Sequence, residues 1–529
     1  MSLGGIFSLR ESLMLPGGKD RRDSPLPRYR RLWPRCCAFA VMVCAAACAV
    51  GPNYHKPHVQ IPDNFKEGAD WQRAQVNPQE PIPSDWWRVY QDDKLAQLVE
   101  QSLKANQSIV AAEAAYRLAR ATVQASTASL FPVVTAGLSG SRSGTGAGAA
   151  ATTGAIPGVY NTVAATVSAS WEPDLWGGIR RQIESAKASA QATDAQLAGE
   201  RLSIAASVAV DYFELRQADI DIQSLKQQQE IDAHILEMTR ATFLQGEASN
   251  DELLVAQDTL ELVVAELQTT EISREQDEHA IAVLIGVPPA GFVLPPDPSY
   301  AFVLPPVPLA LPSQLLERRY DVVSAERTAA SANAKIGVAD AAFFPTLTLS
   351  AEGGYEHNQF AHLFSLPNRV WTLGPDLAET IFDGGARTAA VHEAEATYDE
   401  AAATYRNTVL TAFQNVEDSL SSVNHLRQQM QAFEKILRRN QQLFASERAQ
   451  RLAGTASEQD LLTQQLTLLQ AEQNLKDTQS LLTQGSVALI KNLGGGWQWG
   501  DAKGSATAGQ NLSSDRGPAL REASRPSSQ

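Results

Sequence analysis

The sequence predicts an α+β membrane protein made of two copies of one unit, in which long helical hairpins accompany four β-strands per chain. Three observations lead there. Short motifs recur in one order along the chain; two stretches of about 67 residues contain no proline; and alternating strand segments are present but too few to close on themselves.

The N-terminus comes first. Arg28, Arg30, Arg31 and Arg35 precede an apolar stretch from Cys36 to Ala47. Its roughly 12 residues are too short to cross a bilayer and suit the core of a secretory signal. "AAAC", ending at Cys48, resembles a bacterial lipoprotein box, with Ala45 standing where such boxes usually carry leucine. Cys48 is therefore the expected lipidation site and the first residue of the mature chain. Ala49 after it, rather than an acid, resembles the form sorted to the outer membrane. An ordinary signal peptide with an incidental cysteine is the alternative. Cysteine placement speaks for the anchor: Cys36, Cys37, Cys44 and Cys48 all lie at or before the expected cleavage point, which leaves one thiol and no internal disulfide. The first thirteen residues fit no signal pattern, so Met14 is a candidate start.

The expected division is a signal peptide over 1–47, a lipidated N-terminal segment over 48–92, a first repeat over 93–286, a Pro-rich linker over 287–311, a second repeat over 312–494 and a disordered tail over 495–529. The tail is polar and rich in Gly, Ser and Pro. Charged residues make up 19% of the chain, aromatics 7%, and the net charge is −15. That acid surplus argues against a nucleic-acid partner. No later segment approaches 18 uninterrupted apolar residues, so no transmembrane helix is expected.

The repeats are explicit. "ASLFPVVTAGLSG" (from Ala128) is echoed by "AAFFPTLTLSAEG" (from Ala341), "DLWGGIR" (from Asp174) by "IFDGGAR" (from Ile381), and "GEASNDELL" (from Gly246) by "GTASEQDLL" (from Gly454). The interval from Gly246 to Gly454 equals that from Gly286 to Gly494. Within each copy the order is helix, strand, loop, strand, very long helix, tight turn, returning helix. The long helices are expected over Ile179–Gln245 and Ala386–Ala453, each close to 100 Å at about 1.5 Å per residue. Gly246 and Gly454 close them in left-handed conformation, and Asn250 and Ser457 are expected to cap the returning helices. Those helices carry heptads, Leu253, Leu260 and Leu267 in one copy and Leu461, Leu468, Leu475, Leu482 and Leu489 in the other. Small residues between them (Ala256, Ala471, Thr478, Gly485) allow close helix approach.

The strands are "TVAATVSASWE" (from Thr162), "TLTLSAEGGYE" (from Thr346), the segment after Pro132, and "NRVWTLGPD" (from Asn368). The first places Val163, Ala165, Val167, Ala169 and Trp171 on one face. The second sets Leu347, Leu349, Ala351, Gly353 and Tyr355 against Thr346, Thr348, Ser350, Glu352 and Glu356. Length and alternation suit an outer-membrane barrel strand. Four strands cannot close a barrel, and lipid tolerates no open sheet edge. Either the sheet is soluble or several chains each contribute four strands. Residues 141–161 and 357–368 are expected as long flexible loops on the outer side, with the helices leaving toward the periplasm.

With these pieces in order, the chain resembles the TolC-like outer-membrane efflux proteins in their lipoprotein branch (OprM and NodT type). The resemblance rests on "CAVGPNYHKP", "DWWRVYQDDKLAQLVEQSLKAN", "SWEPDLWGG", "LPSQLLERRYDVVSAE", "FFPTLTL" and "IFDGGAR", from Cys48 to about Gly494. Tyr320 stands where the family usually has proline, which is expected to alter a local helix start. The resemblance implies a homotrimer with a twelve-stranded outer-membrane β-barrel and a periplasmic α-barrel. It also implies an energy-free exit duct for drugs, metals or other solutes, docked to a periplasmic adaptor and an inner-membrane pump.

It further places the helical turns at the periplasmic tip. Asp460 matches a family position whose carboxylates ring the entrance, and Glu252 holds the corresponding place in the first copy. Three-fold repetition is expected to gather these acids and raise their pKa values by mutual repulsion. A solvated helix-face role is the alternative for both. The family's tyrosine and arginine latch is replaced by Arg451 and Ala456, and Arg451 is expected to pair with Asp251 or Glu252. No catalytic constellation stands out, and no cofactor or metal is expected. "GTGAG" at Gly144 lies between strands rather than at a strand-to-helix turn; His357 and His362 lack further ligands; the sequon-like "NQS" at Asn106 is not expected to be glycosylated. Two other readings remain: a lipid-anchored coiled-coil structural protein without a pore, and a type I-like duct for polypeptides.

Overall fold

The structure is a computed structural model that describes residues 49–62, 65–68, 83–148, 152, 154, 156–305 and 319–496. The expected signal peptide, Cys48, residues 306–318 and nearly all of the expected tail lie outside the described residues.

Helix α1 (Asp93–Ala105) is capped by Asp92, whose Oδ1 accepts from the Lys94 and Leu95 amides. Asn106 ends it and opens α2 (Gln107–Ala128). Its side-chain oxygen accepts from the Ser108 and Ile109 amides, and its nitrogen donates to the Leu284 carbonyl at 2.9 Å. At 5% exposure Asn106 is a structural joint. Strands β1 (Val133–Thr145) and β2 (Gly158–Trp171) follow, then α3 (Gly178–Leu244) and α4 (Asn250–Leu284). The second half repeats the order as α5 (Tyr320–Ala341), β3 (Thr346–His357), β4 (Arg369–Ala378), α6 (Ala386–Leu452) and α7 (Glu458–Asn492). Equivalent helices have equal lengths: α2 and α5 have 22 residues, α3 and α6 have 67, α4 and α7 have 35.

The "GG" motifs start the rods by one device used twice. Gly177 (φ 86°) and Gly385 (φ 92°) are left-handed N-caps, a conformation that glycine reaches without steric cost. Asp174 accepts from the Ile179 and Arg180 amides and holds the Arg180 side chain at 3.0 Å. Asp383 does the same with the Gly385 and Arg387 amides and the Arg387 side chain at 2.8 Å. At the far ends Gly246 and Gly454 close the rods, the next amide in each case donating back to Thr242 O and Gln450 O.

The caps of the returning helices correct one expectation. Ser457 caps α7 as expected, but α4 is capped by Ser249 and not by Asn250. Both returning helices carry a capping box, Ser249 with Glu252 and Ser457 with Asp460. An acid three residues after a serine satisfies two orphan amides at once, and Asn250 has no such partner.

The strands form one antiparallel sheet in the order β1-β2-β3-β4. The loops are smaller than expected. Pairing continues from Val133 opposite Ser170 up to Thr145 opposite Gly158, so residues 141–145 and 158–161 are strand. The ladder uses backbone groups and is indifferent to the Gly and Ser side chains. Residues 358–368 fold into two 3₁₀ turns, Phe360–His362 and Leu366–Asn368, around the buried Leu363.

The core lies along the middle of the rods. Trp86, Tyr90, Leu95 and Val99 of the N-terminal segment pack with Val208, Phe213, Val409, Val416 and Leu489. Asp92 anchors this segment by accepting from Tyr212 Oη at 2.8 Å and Tyr300 Oη at 3.0 Å. Buried Asp219 takes Arg216 at 2.8 Å and Arg274 at 2.6 Å and also accepts from the Asp297 amide, which fixes the first part of the linker to α3 and α4. Nearer the sheet, α3 and α5 meet through small residues such as Ala188, Ala192, Ala330 and Ala334, with Ser185 and Ser331 hydroxyls 2.9 Å apart.

The first described residues form a strap across this contact. Val50 N donates to Trp176 O, Arg181 donates to the Val50 and Gly51 carbonyls, and Asn333 donates to Pro52 O.

Tyr320 is the first residue of α5, and its ring lies on Gly199, where a Cβ would come within 2.1 Å of it. Gly199→Ala should therefore destabilise the protein by about 1–3 kcal/mol, the usual cost of overpacking. Combined with Tyr320→Ala, the same change should be close to neutral, as read from thermal unfolding in detergent.

Candidate functional site

The register sorts the sheet into two unlike faces. One carries Val134, Ala136 and Leu138 of β1, Val163 to Trp171 by alternation on β2, Leu347, Leu349 and Tyr355 of β3, and Trp371, Leu373 and Leu377 of β4. This apolar face is open: Trp371 is 72% exposed, Leu373 74% and Leu377 69%. The other face carries Thr135, Ser139, Thr166, Ser168, Thr348, Ser350 and Thr372, together with Glu352, Glu356 and Asp376. Apolar outside and polar inside is the pattern of a strand that stands between lipid and a water-filled lumen. About ten residues at about 3.4 Å, tilted by about 40°, span about 25 Å, the height of an outer-membrane apolar band.

Aromatic side chains bracket that band. At the helix-side end Trp171 donates to Leu130 O at 3.0 Å, Trp176 stacks on Phe344 at 4.8 Å, and Phe131 and Phe382 are exposed. Toward the loop end stand Trp371, Tyr355 and Phe364. Strands β1 and β4 are both edges, each with one row of backbone groups that pairs with no other strand among the described residues.

The expected tip residues cluster at the far ends of the rods, in two separate turns. Ser457 N donates to Asp460 Oδ2 at 3.1 Å, and Ser249 N to Glu252 Oε2 at 2.8 Å. These acids are thus held by their own helix starts. Within one chain the Ser457 hydroxyl and amide bonds hold the Asp460 carboxyl below the usual carboxylate range; the expected rise belongs to the repulsion among three copies. Arg451 does not reach Asp251 or Glu252; its Nη2 lies 3.3 Å from Glu458 Oε2, on the acid that opens α7. The shorter reach within its own turn decides the pairing. His234 of α3 approaches the other oxygen of Glu458 at 3.9 Å, so Glu458 stands between the two hairpins.

Two further sets of acids, not anticipated from the sequence, lie higher on the rods. Burial first, then the neighbouring Glu214 and Asp277, push Asp211 up to about 7; burial and Glu214 push Asp277 up to about 6. Burial, then Asp221, pushes Asp477 up to about 7, while Gln217 Nε2 bridges Asp221 at 2.9 Å and Asp477 at 2.6 Å. In sequence these read as ordinary helix-face charges; the packing of α3 on α4 pairs Asp211 with Asp277, and that of α3 on α7 pairs Asp221 with Asp477. Among the described residues no three His, Cys, Asp or Glu side chains are grouped to hold a metal, and no helix is long and apolar enough to cross a membrane.

A carboxyl whose folded value lies above about 4 binds its proton more tightly when folded. Its contribution favours folding below pH 4 and is lost as pH rises toward 7. Asp477→Asn keeps the acceptor for Gln217 and should raise the melting temperature near pH 8 while leaving it unchanged below pH 4, by calorimetry.

Comparison with known proteins agrees with this geometry. The family model described as outer membrane efflux protein matches residues 98–287 and 311–495. The probable efflux pump outer membrane protein TtgC of Pseudomonas putida is 31% identical over 458 residues, covering 85% of this chain and 93% of its own. The pyoverdine export outer membrane protein OpmQ of Pseudomonas aeruginosa is 32% identical over 430 residues, 78% of this chain and 87% of its own. The solved outer-membrane channel OprN superposes with a TM-score of 0.76 at 28% identity, covering 85% of this chain and all of that one. A sheet with one face for lipid and one for water, continued into paired helical rods, is the fold these proteins share, and the chain belongs to the outer membrane efflux protein family.

Proposed function

We propose that three copies of this chain complete a twelve-stranded barrel and form a passive exit duct, fed by an inner-membrane pump through a periplasmic adaptor. The chain is the outer-membrane channel of an efflux system, and a trimer coupled to a pump would complete it. The observation that carries the reading is the four-stranded sheet, apolar on one face, polar on the other and open at both edges. Four strands are half of the smallest membrane barrel, so other copies must supply the rest. A pore-free coiled-coil protein would have no use for the exposed Trp371, Leu373 and Leu377. Exposed Leu118, Val255, Leu262 and Leu443 along the helices give neighbouring copies an apolar surface to cover. The names of the relatives, an efflux pump outer membrane protein and a pyoverdine export protein, support coupling to a pump.

The N-terminal anchor fits the same arrangement. Ala49, the residue after Cys48, lies against Gly177 at the start of α3, beside the aromatic band at the helix-side end of the sheet. Lipids on Cys48 would enter the membrane from its periplasmic surface.

Detergent-purified full-length protein should behave as a trimer and give discrete single-channel currents in a planar bilayer. A monomer without conductance would refute the reading. At the tip, Asp460 and Glu252 of three chains would surround the mouth and favour cations. Asp460→Asn, which retains an oxygen for the Ser457 amide, should lower the cation-to-anion permeability ratio; an unchanged ratio would remove Asp460 from the mouth.

A further inference from the structure

The apolar face of the sheet is not a uniform wall. Near its loop end is a hollow of about 710 Å³, floored by Ala136, Ala165 and Gly353 and walled by Tyr355, Phe364 and Trp371. That volume lies within the range of specific small-molecule sites, about 300–1,000 Å³. The ladder puts these side chains on two successive cross-strand rows. Tyr355 faces Ala165 on one side and Arg369 on the other, and Gly353 faces Val167 and Trp371. Phe364, carried by the folded loop, meets Tyr355 edge-on with ring centroids 5.6 Å apart. The space exists because a side chain is missing: a Cβ at Gly353 would meet no atom within 4 Å.

Arg369 stands at the rim. It is exposed, and among the described residues its guanidinium has no hydrogen-bond or ion-pair partner. An unpaired cation on a lipid-facing surface is tolerated near the head groups and costly at mid-depth. Its planar fork suits the two oxygens of a phosphate. A cation above an apolar, aromatic-walled trough matches one kind of molecule, with an anionic head and a hydrocarbon tail.

We infer that this hollow is a binding site for a phosphorylated, acylated lipid of the outer leaflet, whose phosphate pairs with Arg369 while one acyl chain lies over Gly353. The site rests on the channel reading, because that reading puts the loop end of the sheet at the outer surface. The other arginine of this face, Arg142 opposite Asn161, lies outside the hollow and provides a control.

The test uses the full-length trimer in mild detergent, titrated with bisphosphorylated lipid A and read by native mass spectrometry. Arg369→Gln should weaken binding about ten-fold, the worth of one charge-assisted contact. Gly353→Leu, which fills the trough and leaves the arginine, should weaken it comparably, and Arg142→Gln should not. Dephosphorylated lipid A should bind the unaltered protein as weakly as lipid A binds Arg369→Gln. Each preparation is also checked for conductance. A conducting protein whose lipid binding ignores both Arg369→Gln and Gly353→Leu, or ignores the phosphates, overturns the site alone; loss of conductance from the unaltered protein overturns the channel reading and the site with it.

Discussion

The structure depends on the unpaired backbone groups along β1 and β4. In water such edges would be solvated, but the open apolar face commits this sheet to lipid, where each unsatisfied amide or carbonyl costs several kcal/mol. The escape is pairing with further strands, and the described residues hold none beyond these four. Quaternary structure is thus a condition for burying the sheet in a membrane and not an addition to a finished monomer. The helices inherit the same requirement. Because each strand pair runs straight into a 67-residue rod, copies joined at the sheet must also line up their rods.

At the tips one residue meets a folding need and, in the proposed trimer, would meet an electrostatic one. Asp460 and Glu252 complete capping boxes, so each carboxylate is oriented by its own helix start before any neighbour arrives. An acid held in this way presents fixed charge with little conformational freedom to lose. Glu458 has a different part. Between Arg451 and His234 it links the end of one hairpin to the side of the other. Asp211 and Asp277 on one side, and Asp477 beside Asp221 on the other, are pushed up toward neutrality by burial and a neighbouring carboxylate.

Much of this was legible in the residues themselves. Absence of proline fixed the long rods, glycines marked both of their ends, and two-residue alternation marked the strands and their lipid-facing side. What sequence could not supply was position relative to distant segments. Asp376 joins Glu352 and Glu356 on the polar face only once β3 and β4 are in register. Ser249 and Asn250 are comparable caps by type, and the acid at Glu252 decides between them. Arg451 has acids in both turns to choose from, and only the fold shows which is near. The expected loops failed for a related reason: Gly and Ser resemble linker composition, yet their backbones pair as well as any others.

The strap over Ala49–Pro52 has a consequence for the order of events in biogenesis. It is held on one side by Arg181, from the first repeat, and on the other by Asn333, 281 residues away from Pro52 and within the second. Its seat therefore exists only after both halves have come together. With the proposed lipid on Cys48, the chain would be delivered to the bilayer on a loose leash, and completing the fold would draw that leash tight.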